Sequence, residues 1–138
     1  MGMNWFMFGA ILAGLGVAVG AFGAHGLEGR VEPDLLVVFE TGVRYHIIHA
    51  LGLLAVGLAG VAAKRTDLAS AAWAHERWFR RAGWLFFSGI VLFSGSLYLL
   101  ALTGERWLGA VTPLGGISFL LGWAALARSA RPPRRGSE

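Results

Sequence analysis

Residues 4–24 form an unbroken run of 21 residues without a charged side chain. A helix of that length crosses the roughly 30 Å hydrocarbon core of a bilayer. Three further apolar stretches follow at 42–62, 82–102 and 108–127. Because backbone polar groups in a bilayer must be paired within their own segment, each stretch is expected to be helical. The sequence therefore predicts an all-α integral membrane bundle of four transmembrane helices, forming one domain over residues 1–127.

The composition excludes most soluble classes of protein. Hydrophobic residues make up 56% of the chain and charged residues only 14%, whereas a soluble domain carries about 25% charged residues. The net charge of +4 is concentrated in two basic blocks beside apolar spans, which is typical of topology signals and of contact with anionic lipid rather than of nucleic-acid binding. The chain has no Cys, so disulfides and thiolate metal sites are excluded.

The distribution of Lys and Arg predicts the orientation of the bundle. The connector Lys64–Arg81 carries five of these residues and the tail 128–138 carries four, against one in the first loop and one in the last turn. Positively charged loops remain in the cytoplasm, so both termini and the connector are expected on that side. The protein itself is expected in the cell inner membrane. The basic tail has no apolar residues to bury and is expected to be disordered. A cleaved signal peptide is the alternative for the first span, although no Lys or Arg precedes it.

Two prolines indicate local features of the helices. Pro33 is suited to the first position of a helix, where its missing N–H is not needed. The 31 residues from there to Ala63 exceed one crossing, so we expect a short interfacial helix over Asp34–Glu40 and a bend near Thr41-Gly42 before the second span. Pro113 lies in the first third of the fourth span and is expected to kink it.

Small residues recur at helical spacing in the first and fourth spans. Such seams allow the backbones of neighbouring membrane helices to approach closely. We therefore expect another helix to lie in each seam. The first seam contains Gly9, Ala13, Gly16, Gly20 and Gly23, and the second contains Gly115, Ser118, Gly122 and Ala125.

A cluster of polar side chains lies at the entry of the second span. Ionisable groups at bilayer depth are costly and tend to have a purpose. At 100° per residue, His46 and His49 share one helix face, and Glu40 and Arg44 lie one turn apart on nearly the opposite face. We expect these groups to form an outward-facing polar pocket, which comprises His25, Glu40, Arg44, Tyr45, His46, His49 and Tyr98.

Each part of this cluster has a structural and a functional interpretation. The histidines are explained by hydrogen bonds across the bundle to backbone, Tyr98, Ser94 or Ser96, because polar side chains join membrane helices in this way. Alternatively, His46 and His49 could ligate a metal ion or haem, with His25 as a third ligand at similar depth, or handle protons or quinone. For Glu40 and Arg44 the structural interpretation is an ion pair or a snorkelling anchor at the helix end.

Four motifs in the same order carry a family resemblance that covers nearly the whole chain. They are Gly20–Leu27, Phe39–Leu51, Leu92–Tyr98 and Thr112–Gly116. The chain resembles a family of small bacterial inner-membrane proteins that is catalogued as a domain of unknown function and has relatives among small animal transmembrane proteins. The resemblance implies a four-helix membrane fold and no established activity.

The sequence favours a binding or accessory protein over an enzyme. It contains no hydrolase motif, no zinc-protease motif and no phosphate-binding loop. The outward-facing pocket is expected to hold a small or lipid-like ligand, or to dock a partner membrane complex, with membrane lipid and a second copy of the chain as further partners. No cofactor is favoured. The alternative is a redox or proton-handling protein that binds haem, metal or quinone through the histidine pair.

Overall fold

A computed structural model describes residues 4–65 and 69–129, with side chains described outside residues 64–75. The described residues are almost entirely helical and contain no β-strand. The elements in order are α1 (Trp5–Phe22), a π-helical turn (Gly23–Leu27), α2 (Pro33–Arg65), α3 (Ala69–Gly89), a second π-helical turn (Ile90–Ser94), α4 (Gly95–Thr103), a 3-10 turn (Arg106–Ala110) and α5 (Thr112–Ser129).

These elements form four helical runs that are long and apolar enough to cross a membrane, as the sequence predicts. The runs are Trp5–Leu27, Pro33–Ala63, Glu76–Thr103 and Arg106–Ser129. The chain alternates in direction from run to run. We call the end of the bundle that holds Leu27, Pro33 and Thr103 the outer end, and the end that holds Trp5 and Ser129 the inner end.

Glycines of the first run, on α1 and at the start of the π-helical turn, bring it into close contact with α2. A Cβ atom at Gly9 would lie 2.6 Å from the Leu54 backbone nitrogen, and one at Gly23 would lie 2.8 Å from the Phe39 ring. Between them, Gly16 faces Ile47 and His46, and Gly20 faces Val43. The small-residue seam of the first span is therefore the surface on which α2 lies antiparallel to α1.

The fourth run packs on the third through its own small residues. Gly115 lies against the Phe93 backbone, and a Cβ atom at Gly122 would lie 2.7 Å from the Phe86 ring. Ser118 hydrogen-bonds the Ser88 hydroxyl at 2.8 Å and donates to the Leu85 carbonyl at 3.0 Å. The core of the bundle lies between these helices and α2, and its buried members include Leu53, Val56, Phe86, Ile90 and Phe119.

The second run is one continuous helix, so the expectation of a separate interfacial helix over Asp34–Glu40 was wrong, and the helix is unbroken at Thr41-Gly42, where we expected a bend. Pro33 does begin the helix, as its sequence context predicts. Thr41 stays within the helix and donates its hydroxyl to the Val37 carbonyl at 2.9 Å. Gly42 is needed for packing, because a Cβ atom there would lie 2.8 Å from Cε1 of Tyr98.

The helix ends also differ from expectation in two places. Pro113 is the second residue of α5 and so lies in its first turn, where a proline causes no kink. Arg128, which we assigned to the tail, belongs to the last turn of α5, while the remaining tail lies outside the described residues. The hairpin turn before α5 starts at Gly104, whose φ of 74° is the left-handed conformation that ends α4.

Candidate functional site

The polar residues at the outer half of the bundle do not line one pocket. His25, Glu40 and Arg44 are exposed, and Tyr45 is 39% exposed. His46 and His49 are buried, with 6% and 4% of their surfaces exposed. The cluster therefore separates into a buried pair of imidazoles between the helices and a set of exposed polar side chains on the outside.

His46 joins α2 to α4. Its Nδ1 atom is hydrogen-bonded to the Tyr98 hydroxyl at 3.1 Å, and its ring lies against Gly16 of α1. The Tyr98 ring is held in place by Phe39, at 4.9 Å between ring centroids, and by the close approach of Gly42. This is the interhelical hydrogen bond that the structural interpretation of the sequence predicts.

His49 joins α2 to α5, and both of its nitrogens are occupied. Nδ1 donates to the Tyr45 carbonyl at 2.7 Å, and Nε2 accepts a hydrogen bond from the Trp123 indole N–H at 3.1 Å. The ring stacks on Phe119 with 3.4 Å between centroids. A carbonyl only accepts and an indole N–H only donates, so this pairing selects the neutral ring with its proton on Nδ1. No lone pair remains for a metal ion.

Two buried polar atoms lack a hydrogen-bond partner among the described residues. They are Nε2 of His46 and Oγ of Ser94. Ser94 closes the second π-helical turn, one helical turn from Tyr98, which is the residue that bonds the other nitrogen of His46. Buried unpaired groups are uncommon, and here both lie in the same layer of the bundle.

The structure does not bring the three histidines together as a metal site. His46 packs on Gly16, whereas His25 is exposed on the π-helical turn at the outer end. His25 lies nine positions after Gly16, which corresponds to about 13 Å along a helix. The similar depth that we expected for His25 is therefore wrong, and the described residues contain no group of three potential metal-ligating His, Cys, Asp or Glu side chains.

Glu40 and Arg44 are one turn apart on a continuous helix, yet they are not paired. Neither side chain forms an ion pair with any residue that the structure describes. Arg44 follows Val43, which faces Gly20 of α1, so it lies seven residues inside the outer end at Leu27. That separation is about 10 Å along the helix axis. An exposed guanidinium at this depth must reach the headgroups or find an anionic partner.

Sequence reasoning missed Trp123 and Phe119, which hold His49. Both lie on α5: Phe119 is buried beside the seam of Gly115, Ser118 and Gly122, whereas Trp123 lies at the edge of that face and is 43% exposed. The small-residue seam was the only sequence signal for that face. The seam indicates that this face of α5 packs against another helix, but it does not indicate that α2 is one of the helices contacted.

Comparisons with known proteins agree that this is a membrane protein. The chain is 48% identical over 126 residues to the UPF0382 membrane protein YwdK of Bacillus subtilis, covering 91% of this chain and 94% of that protein. It is 44% identical over 122 residues to UPF0382 membrane proteins of Staphylococcus epidermidis and Staphylococcus haemolyticus, covering 88% of this chain and 90% of each relative. No solved structure matches it. The profile of the family described as "Protein of unknown function (DUF423)" matches residues 19–116, and the chain belongs to that family.

Proposed function

We propose that this protein is a binding or accessory protein located in the cell inner membrane. It docks a partner membrane protein through the outer half of α2. The docking surface is the side of α2 that the other helices leave uncovered, and it includes Val37, Glu40, Arg44, Ile48 and Leu51. The observation that carries the proposal is the exposed Arg44, which is unpaired among the described residues and lies about 10 Å inside the outer end.

A partner helix would lower the free-energy cost of an unpaired Arg44 guanidinium within the membrane. Charged side chains within membrane spans are rare, and they mostly face protein or water and pair with one another. The neighbouring side chains Val37, Ile48 and Leu51 are 61%, 46% and 53% exposed, so the surface around Arg44 is apolar and free to pack. A carboxylate on a partner helix at the same depth would pair with the guanidinium, while Glu40 would select a basic group nearer the headgroups.

The geometry of the histidines supports a binding role over a redox role. His49 uses both nitrogens within the bundle, and His46 uses one. A ligand on His49 would have to break the bond to Trp123 or the bond to the Tyr45 carbonyl. The same groups serve as joints between α2, α4 and α5, which gives them a structural purpose without a cofactor.

Site-specific photo-cross-linking in cells tests the docking surface. With the photoreactive residue at Ile48, we expect one discrete cross-linked product that is lost in Arg44→Gln and retained in Arg44→Lys. The matched control places the same photoreactive residue at Leu15, an exposed position on α1. A product at Leu15 as strong as at Ile48, or cross-linking to lipid alone, would contradict the proposal.

Native mass spectrometry of the gently solubilised protein, with a metal assay and a visible absorption scan, tests the cofactor alternative. We expect neither stoichiometric metal nor a chromophore. A metal ion or haem that departs in a His46→Ala, His49→Ala double variant would make this a cofactor protein and overturn the binding proposal.

A further inference from the structure

A groove lies between α3 and α5 at the inner end, far from the outer surface of α2. Its volume is about 570 Å³, and it opens to the outside of the bundle. Leu85, Leu121 and Ala124 contribute to an apolar floor, and Arg80, Arg81 and Arg128 contribute to its rim. Leu121 and Ala124 are exposed, so the bundle itself leaves this floor uncovered.

Two cations from different helices converge at the rim of the groove. The guanidinium carbon of Arg81 lies 4.9 Å from the centroid of the Trp78 ring, and that of Arg128 lies 5.8 Å from the same ring. Neither arginine forms an ion pair with a carboxylate among the described residues, and none of the residues that line the groove is acidic. Two cations beside the same ring, in a groove lined by no acidic residue, produce a positive potential that attracts an anion.

The depth of these groups matches the surface of a membrane. Gly83 packs against the ring of Trp5, the first residue of α1, so Arg81 lies just beyond the point where α1 begins. Leu121 lies seven residues from Arg128, which is about 10 Å deeper into the membrane. The groove is thus basic at headgroup level and apolar below it.

We propose that this groove binds one anionic phospholipid, with its phosphate between Arg81 and Arg128 and an acyl chain along Leu85 and Leu121. Charge complementarity selects an anionic headgroup, and the apolar floor selects a lipid over a free phosphate ion. The inner end carries most of the Lys and Arg residues and is predicted to be cytoplasmic. Clusters of basic residues on that side of a membrane attract anionic lipid. This site is independent of the proposed docking surface on α2.

Native mass spectrometry of the full chain, titrated with phosphatidylglycerol or phosphatidylcholine of identical acyl chains, tests the site. We expect one phosphatidylglycerol to be retained in preference to phosphatidylcholine. The Arg81→Gln, Arg128→Gln double variant should bind it roughly 30-fold more weakly, from the usual contribution of two arginines at a membrane surface. The matched control is Arg30→Gln with Arg106→Gln, which removes the same charge at exposed outer positions and should leave binding unchanged.

A variant that fills the groove without changing its charge distinguishes lipid binding in the groove from general electrostatic attraction of anionic lipid to the inner end. Ala124→Phe places a ring on the apolar floor and should also lose the retained lipid, and it carries the test if the double arginine variant does not fold. Equal retention of the two lipids, equal weakening in the outer-end control, competition by millimolar inorganic phosphate, or a lipid-free dimer in which a second copy covers the groove would each overturn the proposal.

Discussion

The indole nitrogen of Trp123 on α5 donates a hydrogen bond to Nε2 of His49 on α2 at 3.1 Å. Because His49 also donates to the Tyr45 carbonyl, the bond fixes the tautomer of a buried imidazole and ties the fourth membrane run to the second. The imidazole acts here as a joint between helices, and the strength of that joint can be measured.

Trp123→Phe keeps an aromatic ring beside Phe86 but removes the indole N–H that donates to His49. The variant leaves a buried acceptor on His49 without its partner, and we expect it to destabilise the bundle by about 1 kcal/mol. Unfolding by SDS titration in mixed micelles, followed by circular dichroism, measures the change. Trp107→Phe is the control, since Trp107 is 65% exposed and should be neutral. Equal effects in the two variants would mean that the hydrogen bond contributes nothing.

Tyr98→Phe removes the hydroxyl that bonds His46 and preserves the ring that packs on Phe39 and Gly42. His46 then keeps no side-chain hydrogen-bond partner among the described residues, so we expect a loss of about 1 kcal/mol in the same unfolding assay. Tyr45→Phe serves as the control, because its hydroxyl makes no hydrogen bond to a described residue. The interpretation fails if Tyr45→Phe is the more damaging of the two.

Gly9→Ala tests the close approach of α1 and α2. Its new methyl group would lie 2.6 Å from the Leu54 nitrogen and 2.9 Å from the Ala50 oxygen, and backbone atoms cannot move aside as a side chain can. We expect a loss of about 2 kcal/mol or failure to fold, as in other overpacked cores. Gly14→Ala has no atom within 4 Å of the added methyl and should be neutral or slightly stabilising. Thermal stability in detergent compares them, and similar melting temperatures would argue against the contact.

Ser94→Ala and Ser118→Ala form a matched pair of buried serines. The Ser94 hydroxyl has no partner among the described residues, so its removal should change the free energy of unfolding by less than about 0.5 kcal/mol. Ser118 bonds both Ser88 and the Leu85 carbonyl, and its removal should cost about 1 kcal/mol. A large loss in Ser94→Ala would reveal a bound water or other partner in the layer that it shares with His46.

The four membrane runs and the two small-residue seams could be predicted because hydropathy and helical spacing are local properties of the sequence. The pairing of Gly9 with Leu54 and of Gly115 with Phe93 follows from such seams once the neighbouring helix is known. The bond between His49 and Trp123 could not be predicted, since spacing along one helix does not show which other helix faces it. The continuous α2 was missed for a related reason, because Gly42 suggested a break between two helices, whereas it lies within α2 and contacts Tyr98.

For the candidate site, the sequence pointed to particular polar residues but did not show how they are arranged in the bundle. His46 is hydrogen-bonded to Tyr98 and His49 contacts α5, whereas the charged residues Glu40 and Arg44 lie on the outside of the bundle. The groove between α3 and α5 was not foreseen. Its arginines were visible in the sequence as topology signals, but their convergence on Trp78 depends on the packing of two helices that are distant in the chain.

The π-helical turn Ile90–Ser94 makes this part of the third membrane run tolerant of one change in length. In this turn the Gly95 N–H bonds the Ile90 carbonyl, five residues earlier, so the turn holds one residue more than an α-helix would. Because the turn absorbs that residue locally, deleting one residue here would restore a regular α-helix and leave the residues beyond it facing their present partners. Tyr98 would keep its bond to His46, and Ser96 would keep its bond to Thr112 at 2.9 Å. A one-residue deletion in the regular α-helical part of the run would instead rotate everything beyond it by about 100° and change its contacts.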